Sequence, residues 1–236
     1  MGTPRTVRGI GLVAALAVVT AGCVPGLGGE DPASSTPPPV GHGRLSEEQA
    51  ASVLPGDDQM PSGFRRDTVE QETSGDDPQA TAYPATCLDV RLAGDVGKDL
   101  RTHRTARAKR AWAGEVGGSL TVTVSSHDVA VPTQLFDDAG AAQGECATFQ
   151  LIDESGTSSW KLSPVTFPPL GERTYSMRVE STTEGDVFKG GVVQVAGISV
   201  GHNLVHVVYA AGPGSRYDSR VVETVARTTV DNLEAL

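Results

Sequence analysis

Gly197-Ile198-Ser199-Val200-Gly201 has the G-x-S-x-G spacing of a nucleophile elbow, which lifts a serine onto a tight strand-to-helix turn beside a base. Its surroundings argue against that chemistry. Asn203 to Tyr209 reads as another strand where the elbow needs a helix, and no histidine follows His206 to complete the hydrolase order. His202 and His206 stand four apart, a spacing that on a helix could seat one metal. On a strand it separates them by ~13 Å, too far for shared ligation through ~2 Å bonds. His127-Asp128 could orient an imidazole as a general base, but strand neighbours point to opposite faces and no activated nucleophile stands beside them. Asp57-Asp58, Asp76-Asp77 and Asp137-Asp138 lack the D-x-D-x-D-G loop and distal Glu of a calcium site, and read as solvated turns and helix starts. No catalytic residue, cofactor or metal ligand follows from these motifs. The one basic concentration, Lys98, Arg101, Arg104, Arg107, Lys109 and Arg110, could meet an anionic envelope polymer or an acidic partner. Its plainer reading is a solvated strand or helix face.

Cys23 carries a stronger signal. It follows Val19-Thr20-Ala21-Gly22, at the end of a short apolar run that opens with Arg5 and Arg8. The stretch from Ile10 to Val19 is roughly half of what a helix needs to cross a ~30 Å hydrocarbon core, so it reads as a processing signal. A cysteine at this cut resembles the lipobox of bacterial lipoproteins. The resemblance implies cleavage after residue 22 and acylation of Cys23, which becomes the new N-terminus. Two or three acyl chains hold a protein to a bilayer where one gives only marginal residence. The expected location is the extracytoplasmic side of the cell membrane.

With Cys23 assigned to lipid, Cys87 and Cys146 remain as a pair in an oxidising compartment and are predicted to be bonded. Cleavage removes Arg5 and Arg8, taking the formal charge from −10 to −12. That balance repels phosphate, so nucleic acid is not expected as a partner and anionic headgroups would not hold the domain. Aromatic residues make up only 5% of the chain, which makes a carbohydrate-stacking surface hard to assemble.

Residues 24–44, VPGLGGEDPASSTPPPVGHGR, are too rich in Pro and Gly to offset the entropy of ordering and read as a tether reaching on the order of 60 Å. The predicted organisation is a signal peptide over 1–22, a lipidated Cys and tether over 23–44, and one domain over 45–236. Ser46-Glu47-Glu48-Gln49 has capping-box spacing and predicts a short helix, stopped near Leu54 by Pro55-Gly56. Asp57 to Pro84 reads as irregular surface structure anchored by Met60, Phe64 and Tyr83. From about residue 104 strands dominate, with Leu120, Val122 and Val124 on one face and Tyr175, Met177 and Val179 on another. Turns at 114–118, 154–156, 184–186 and 201–203 imply antiparallel hairpins. After Pro132, Leu135, Phe136, Ala139, Ala142, Cys146 and Phe149 recur at helical spacing. Val221, Val222, Val225, Ala226, Thr229, Leu233 and Leu236 form a second stripe behind a possible Asp218 cap. The fold class is α+β, a twisted and mainly antiparallel sheet with an amphipathic C-terminal helix and one or two further helices packed on it.

The order of lipobox, Pro-rich tether, LSEEQAASVLP helix, QMPSGF turn, paired cysteines, LxPVxFPxLGERTYxxRV run and terminal helix resembles actinobacterial envelope lipoproteins. Their ectodomain is similar to the extracellular sensor domain of some receptor kinases, with a cleft beside a twisted antiparallel sheet. The resemblance implies binding of a small ligand or an envelope protein, without catalysis. The alternatives are an envelope hydrolase with an unrecognised site and a structural accessory subunit of an envelope complex.

Overall fold

The computed structural model describes residues 40–67, 80–114 and 117–236. Cys23 and its leader, the tether up to residue 39, and Asp76-Asp77 lie outside the described residues. One sheet organises the rest. Its strands are β1 (Phe64–Arg66), β2 (Thr81–Tyr83), β3 (Arg104–Gly114), β4 (Gly118–His127), β5 (Thr148–Asp153), β6 (Gly156–Pro164), β7 (Arg173–Ser181), β8 (Val192–Val200) and β9 (Asn203–Ala211). All neighbours pair antiparallel, in the order β1-β3-β4-β9-β8-β7-β6-β5-β2. The four expected hairpins join β3 to β4, β5 to β6, β7 to β8 and β8 to β9.

Helices α1 (Glu47–Ser52), α2 (Asp95–Thr102), α3 (Gln134–Ala142) and α4 (Ser219–Glu234) pack around the sheet, with 3-10 segments at Val40–His42 and Ala85–Arg91. The Ser46 hydroxyl accepts from Gln49 N and the Gln49 side chain accepts from Ser46 N, so the capping box forms as its spacing implies. Asp218 caps α4 by accepting from Arg220 N. The helical stripe after Pro132 ends sooner than its periodicity suggests. α3 stops at Ala142, Cys146 falls in the following turn, and Phe149 sits on β5 opposite Trp160. Gly144 is a poor helix former, and the ladder to β6 claims the backbone from residue 148.

The sheet carries two cores on opposite faces. α1 and α4 cover one face of β3, β4, β9 and β8, burying Leu120, Val122, Val124, Ile198, Val205 and Val207 against Val222, Val225, Ala226 and Leu233. The 3-10 segment Ala85–Arg91 and α3 cover the other face of β8, β7, β6 and β5, where Met177, Val179 and Val195 meet Leu88, Val90, Leu135 and Phe136. A disulfide joins Cys87 to Cys146 within this second layer, and both residues are fully buried.

The chain enters the fold before Leu45. Asn203 Nδ2 donates to the carbonyls of Gly41 and Gly43, both at 2.8 Å, and His202 N donates to His42 O at 3.1 Å. Gly201, at φ 57°, sits against this clasp: a β-carbon there would lie 2.0 Å from His42 O.

Candidate functional site

Among the described residues, helices cover each sheet face over only part of its width, which leaves two regions on opposite sides without a helix layer. The helix layer built on the disulfide reaches its edge over β8. Leu92 ends the 3-10 segment at φ 57° and lies against Gly197, where a β-carbon would meet Leu92 Cδ1 at 2.2 Å. Beyond that edge β9, β4 and β3 present half-exposed or exposed side chains. Pairing sets them in rows across the strands. One row runs Gly197, His206, Thr123, Lys109; the next runs Ser199, Leu204, Ser125, Arg107; a third runs Val195, Val208, Thr121, Ala111. The face thus grades from cationic and hydroxylated to apolar, with Leu204 and Val208 at the crease beside the helix layer. Tyr175 extends the first row under that layer, where burial pushes its hydroxyl up to about 12.

The basic run is divided by the fold. Arg107 and Lys109 fall on the open face, whereas Arg110 points the other way and donates from Nη1 to the carbonyls of Leu54 and Pro55 at 2.9 and 2.8 Å. Lys98 on α2 pairs with Asp95. The acids are spent structurally: Asp57 accepts from Arg66 and Trp112, and Asp137 is paired with Arg173. Asp89 differs, because burial and the neighbouring Asp138 and Asp95 raise its pKa. Ser199 is 1% exposed on β8, two residues before a hairpin turn and with no helix following it. The G-x-S-x-G spacing is therefore a strand running into a turn. Among the described residues no group of three or more His, Cys, Asp or Glu could hold a metal ion.

Four histidines gather at the end of the sheet where the tether enters. His127 Nδ1 donates to His202 O at 3.2 Å and His202 Nδ1 donates to His127 O at 3.0 Å, which fixes both rings as the Nδ1–H tautomer. His42 pairs with Glu172, and His103 with Asp128. His127 is buried, and desolvation holds its pKa below the ordinary value of 6.5 despite the His202 carbonyl. Between that value and the lower folded one, the unfolded chain binds the extra proton. Stability is then full above pH 6.5 and falls as the pH drops through this window, by at most about 1.4 kcal/mol per pH unit. His127→Gln should flatten the slope in urea titrations across that range; an unchanged slope would show that His127 is not its source.

Tyr83 was expected as an anchor of the irregular stretch. It lies instead on edge strand β2 with its side chain turned to solvent, because its neighbour Ala82 takes the inward position opposite Leu151. Sequence reasoning also missed the polar groups beside it, Gln150 and Ser159. Alternation in Thr148-Phe149-Gln150-Leu151 puts Gln150 outward, but nothing local says that residue 83 pairs there.

No protein-family model matches the sequence, and no curated protein matches it. Among solved structures the fold is similar to the extracellular domain of PknH from Mycobacterium tuberculosis. The TM-score is 0.60 at 14% identity, over 83% of this chain and 100% of that one. The Rv0999 ortholog from Mycobacterium smegmatis matches with a TM-score of 0.48 and 16% identity, over 78% of this chain and 96% of that one. The chain thus has the fold of an actinobacterial extracellular domain, in agreement with the resemblance to receptor-kinase sensor domains. At this identity the likeness is one of fold.

Proposed function

We propose that the chain is a lipoprotein of the actinobacterial cell envelope, held on the extracytoplasmic side of the membrane by acyl groups on Cys23. Its domain binds a small ligand or an envelope protein without catalysis. The carrying observation is the open face of β9, β4 and β3, where cationic, hydroxyl and apolar rows lie side by side next to the helix layer. Such a mixture of apolar surface with a few convergent polar groups suits recognition. The buried Ser199 and the structural roles of Asp57 and Asp137 favour binding over hydrolysis. The disulfide suits an oxidising compartment, and among the described residues no helix is long and apolar enough to cross a membrane. The clasp at Asn203 holds residues 41–43 against the β8–β9 turn, so the tether would leave the domain from that turn.

A single cell-based experiment tests both parts. A photo-crosslinking side chain at Thr123 should trap a partner or ligand in intact cells, while the same group at Arg227 on the outer side of α4 should not. Cys23→Ala should release the protein from the membrane fraction and remove the adduct. Equal yields at the two positions would overturn the site, and retention of the Cys23→Ala protein in the membrane would overturn the anchor.

A further inference from the structure

On the opposite side of the sheet from the open face just described, β7, β6, β5 and β2 lie beyond the reach of α4. A hollow of about 350 Å³ opens at this edge, lined by Tyr83, Thr148, Gln150, Ser159, Trp160 and Thr182. Register explains its floor. Tyr83 pairs with Gln150 and Gln150 with Ser159, while Thr182 N donates to Ser159 O at 2.8 Å, so four side chains line up across four strands or their ends. At ~4.8 Å between strands the row spans about 14 Å. One end is the phenol of Tyr83, which is 72% exposed; the rest is an amide and hydroxyls. Pro84 and Phe149 complete the lining, which among the described residues contains no Lys, Arg, His, Asp or Glu. In the adjoining row Lys161 stands opposite Glu180, so the flanking charges are matched. Ile152, two residues beyond Gln150 on the same face of β5, is exposed as well.

The described lining offers an ionic ligand no counter-charge. A flat aromatic beside amide and hydroxyl groups complements a molecule with apolar C–H faces and many hydroxyls. We propose that this hollow is a binding site for a neutral carbohydrate chain. An aromatic content of 5% makes a stacking surface hard to assemble, and here pairing of β2 with β5 supplies one exposed tyrosine beside a polar floor. The site lies on the other face from Thr123 and stands or falls independently of the proposed partner face.

One resonance in the hollow and one in the core make the test internal. Ser159 lies on the floor of the hollow beside Gln150, whereas Trp112 is buried in the core under α1 and α4. Maltotetraose, cellotetraose and mannotetraose would each be titrated into isotope-labelled full-length protein in lipid nanodiscs, following the Ser159 backbone amide and the Trp112 indole N–H resonances. At least one should move the Ser159 resonance at millimolar concentration and leave Trp112 still, and tetragalacturonate should move neither. Tyr83→Ala and Gln150→Ala should each weaken the response at least tenfold, with the remaining spectrum unchanged. No shift with any of the three neutral sugars, an equal shift with tetragalacturonate, or full binding by Tyr83→Ala would overturn the assignment. A protein partner using this edge would give the first of those results.

Discussion

Cys87→Ala combined with Cys146→Ala is expected to lower the unfolding free energy by about 4 kcal/mol. The bond closes a loop of 59 residues, and in the chain-entropy model a loop of this length restricts the unfolded state by about that amount. Against a total of 5 to 15 kcal/mol for typical domains, the loss is large. It falls on one layer, because the bond ties the 3-10 segment Ala85–Arg91 to the turn after α3, and these two pieces together form the roof over Met177, Val179 and Val195. Urea unfolding followed by circular dichroism should show a lower midpoint. The slope should be steeper too, since the uncrosslinked chain exposes more surface when unfolded. Reductant should lower the midpoint of the wild-type protein by the share of the cross-link alone, because both buried sulfurs stay in place. Because both cysteines are fully buried, thiol labelling under reductant should follow the rate of unfolding. A loss under 1 kcal/mol would mean that the roof docks on the sheet unaided.

Features carried by local sequence were legible, and they include most of the framework. The capping box at Ser46, the Asp218 cap and the α4 stripe each depend on residues within a turn or two of one another. The four hairpins were legible for the same reason, since each connects strands adjacent in sequence. Leu236 is the exception in the α4 stripe: it lies past the helix end and is 40% exposed, while Val230, outside the expected set, is buried. α2 escaped notice because Asp-Val-Gly-Lys-Asp-Leu-Arg-Thr offers only Val96 and Leu100 as apolar residues, too few to show a period.

Non-local pairing was not legible. β1 and β2 have three residues each and are held by partners far along the chain, Gly114 opposite Phe64 and Ile152 opposite Thr81. No local pattern distinguishes such short segments from irregular surface structure. The same limit governed the sites. The basic run looked continuous from Lys98 to Arg110, but strand alternation sends Arg107 and Lys109 to one face and Arg110 to the other. The carbohydrate hollow depends on β2, β5, β6 and the end of β7 meeting in that order, and only the assembled sheet reveals its uncharged lining.

Trp112→Ala should cost about 3 to 5 kcal/mol, the range for removing a buried large aromatic side chain. Trp112 is 1% exposed in the core formed with α1 and α4 and lies opposite both Leu120 on β4 and Arg66 on β1. Its loss would leave a void under α1 and remove the surface on which the short edge strand β1 rests. Two polar contacts complete the site: Nε1 donates to Asp57 Oδ1 at 3.3 Å, and the Arg66 guanidinium sits 5.6 Å from the ring centroid. Hydrogen bonds from Arg66 and then Trp112 hold the Asp57 carboxyl below its ordinary value. Trp112→Phe separates packing from polarity. It should be much less destabilising than alanine, and it should raise the Asp57 pKa by removing one donor, as a carboxylate titration by NMR would show. Arg66→Ala should be far milder than Trp112→Ala, because its partner Asp57 is solvent-exposed and such pairs are screened. If Arg66→Ala proved as damaging as Trp112→Ala, the surface pair and not the buried ring would be what secures β1 and α1 to the sheet.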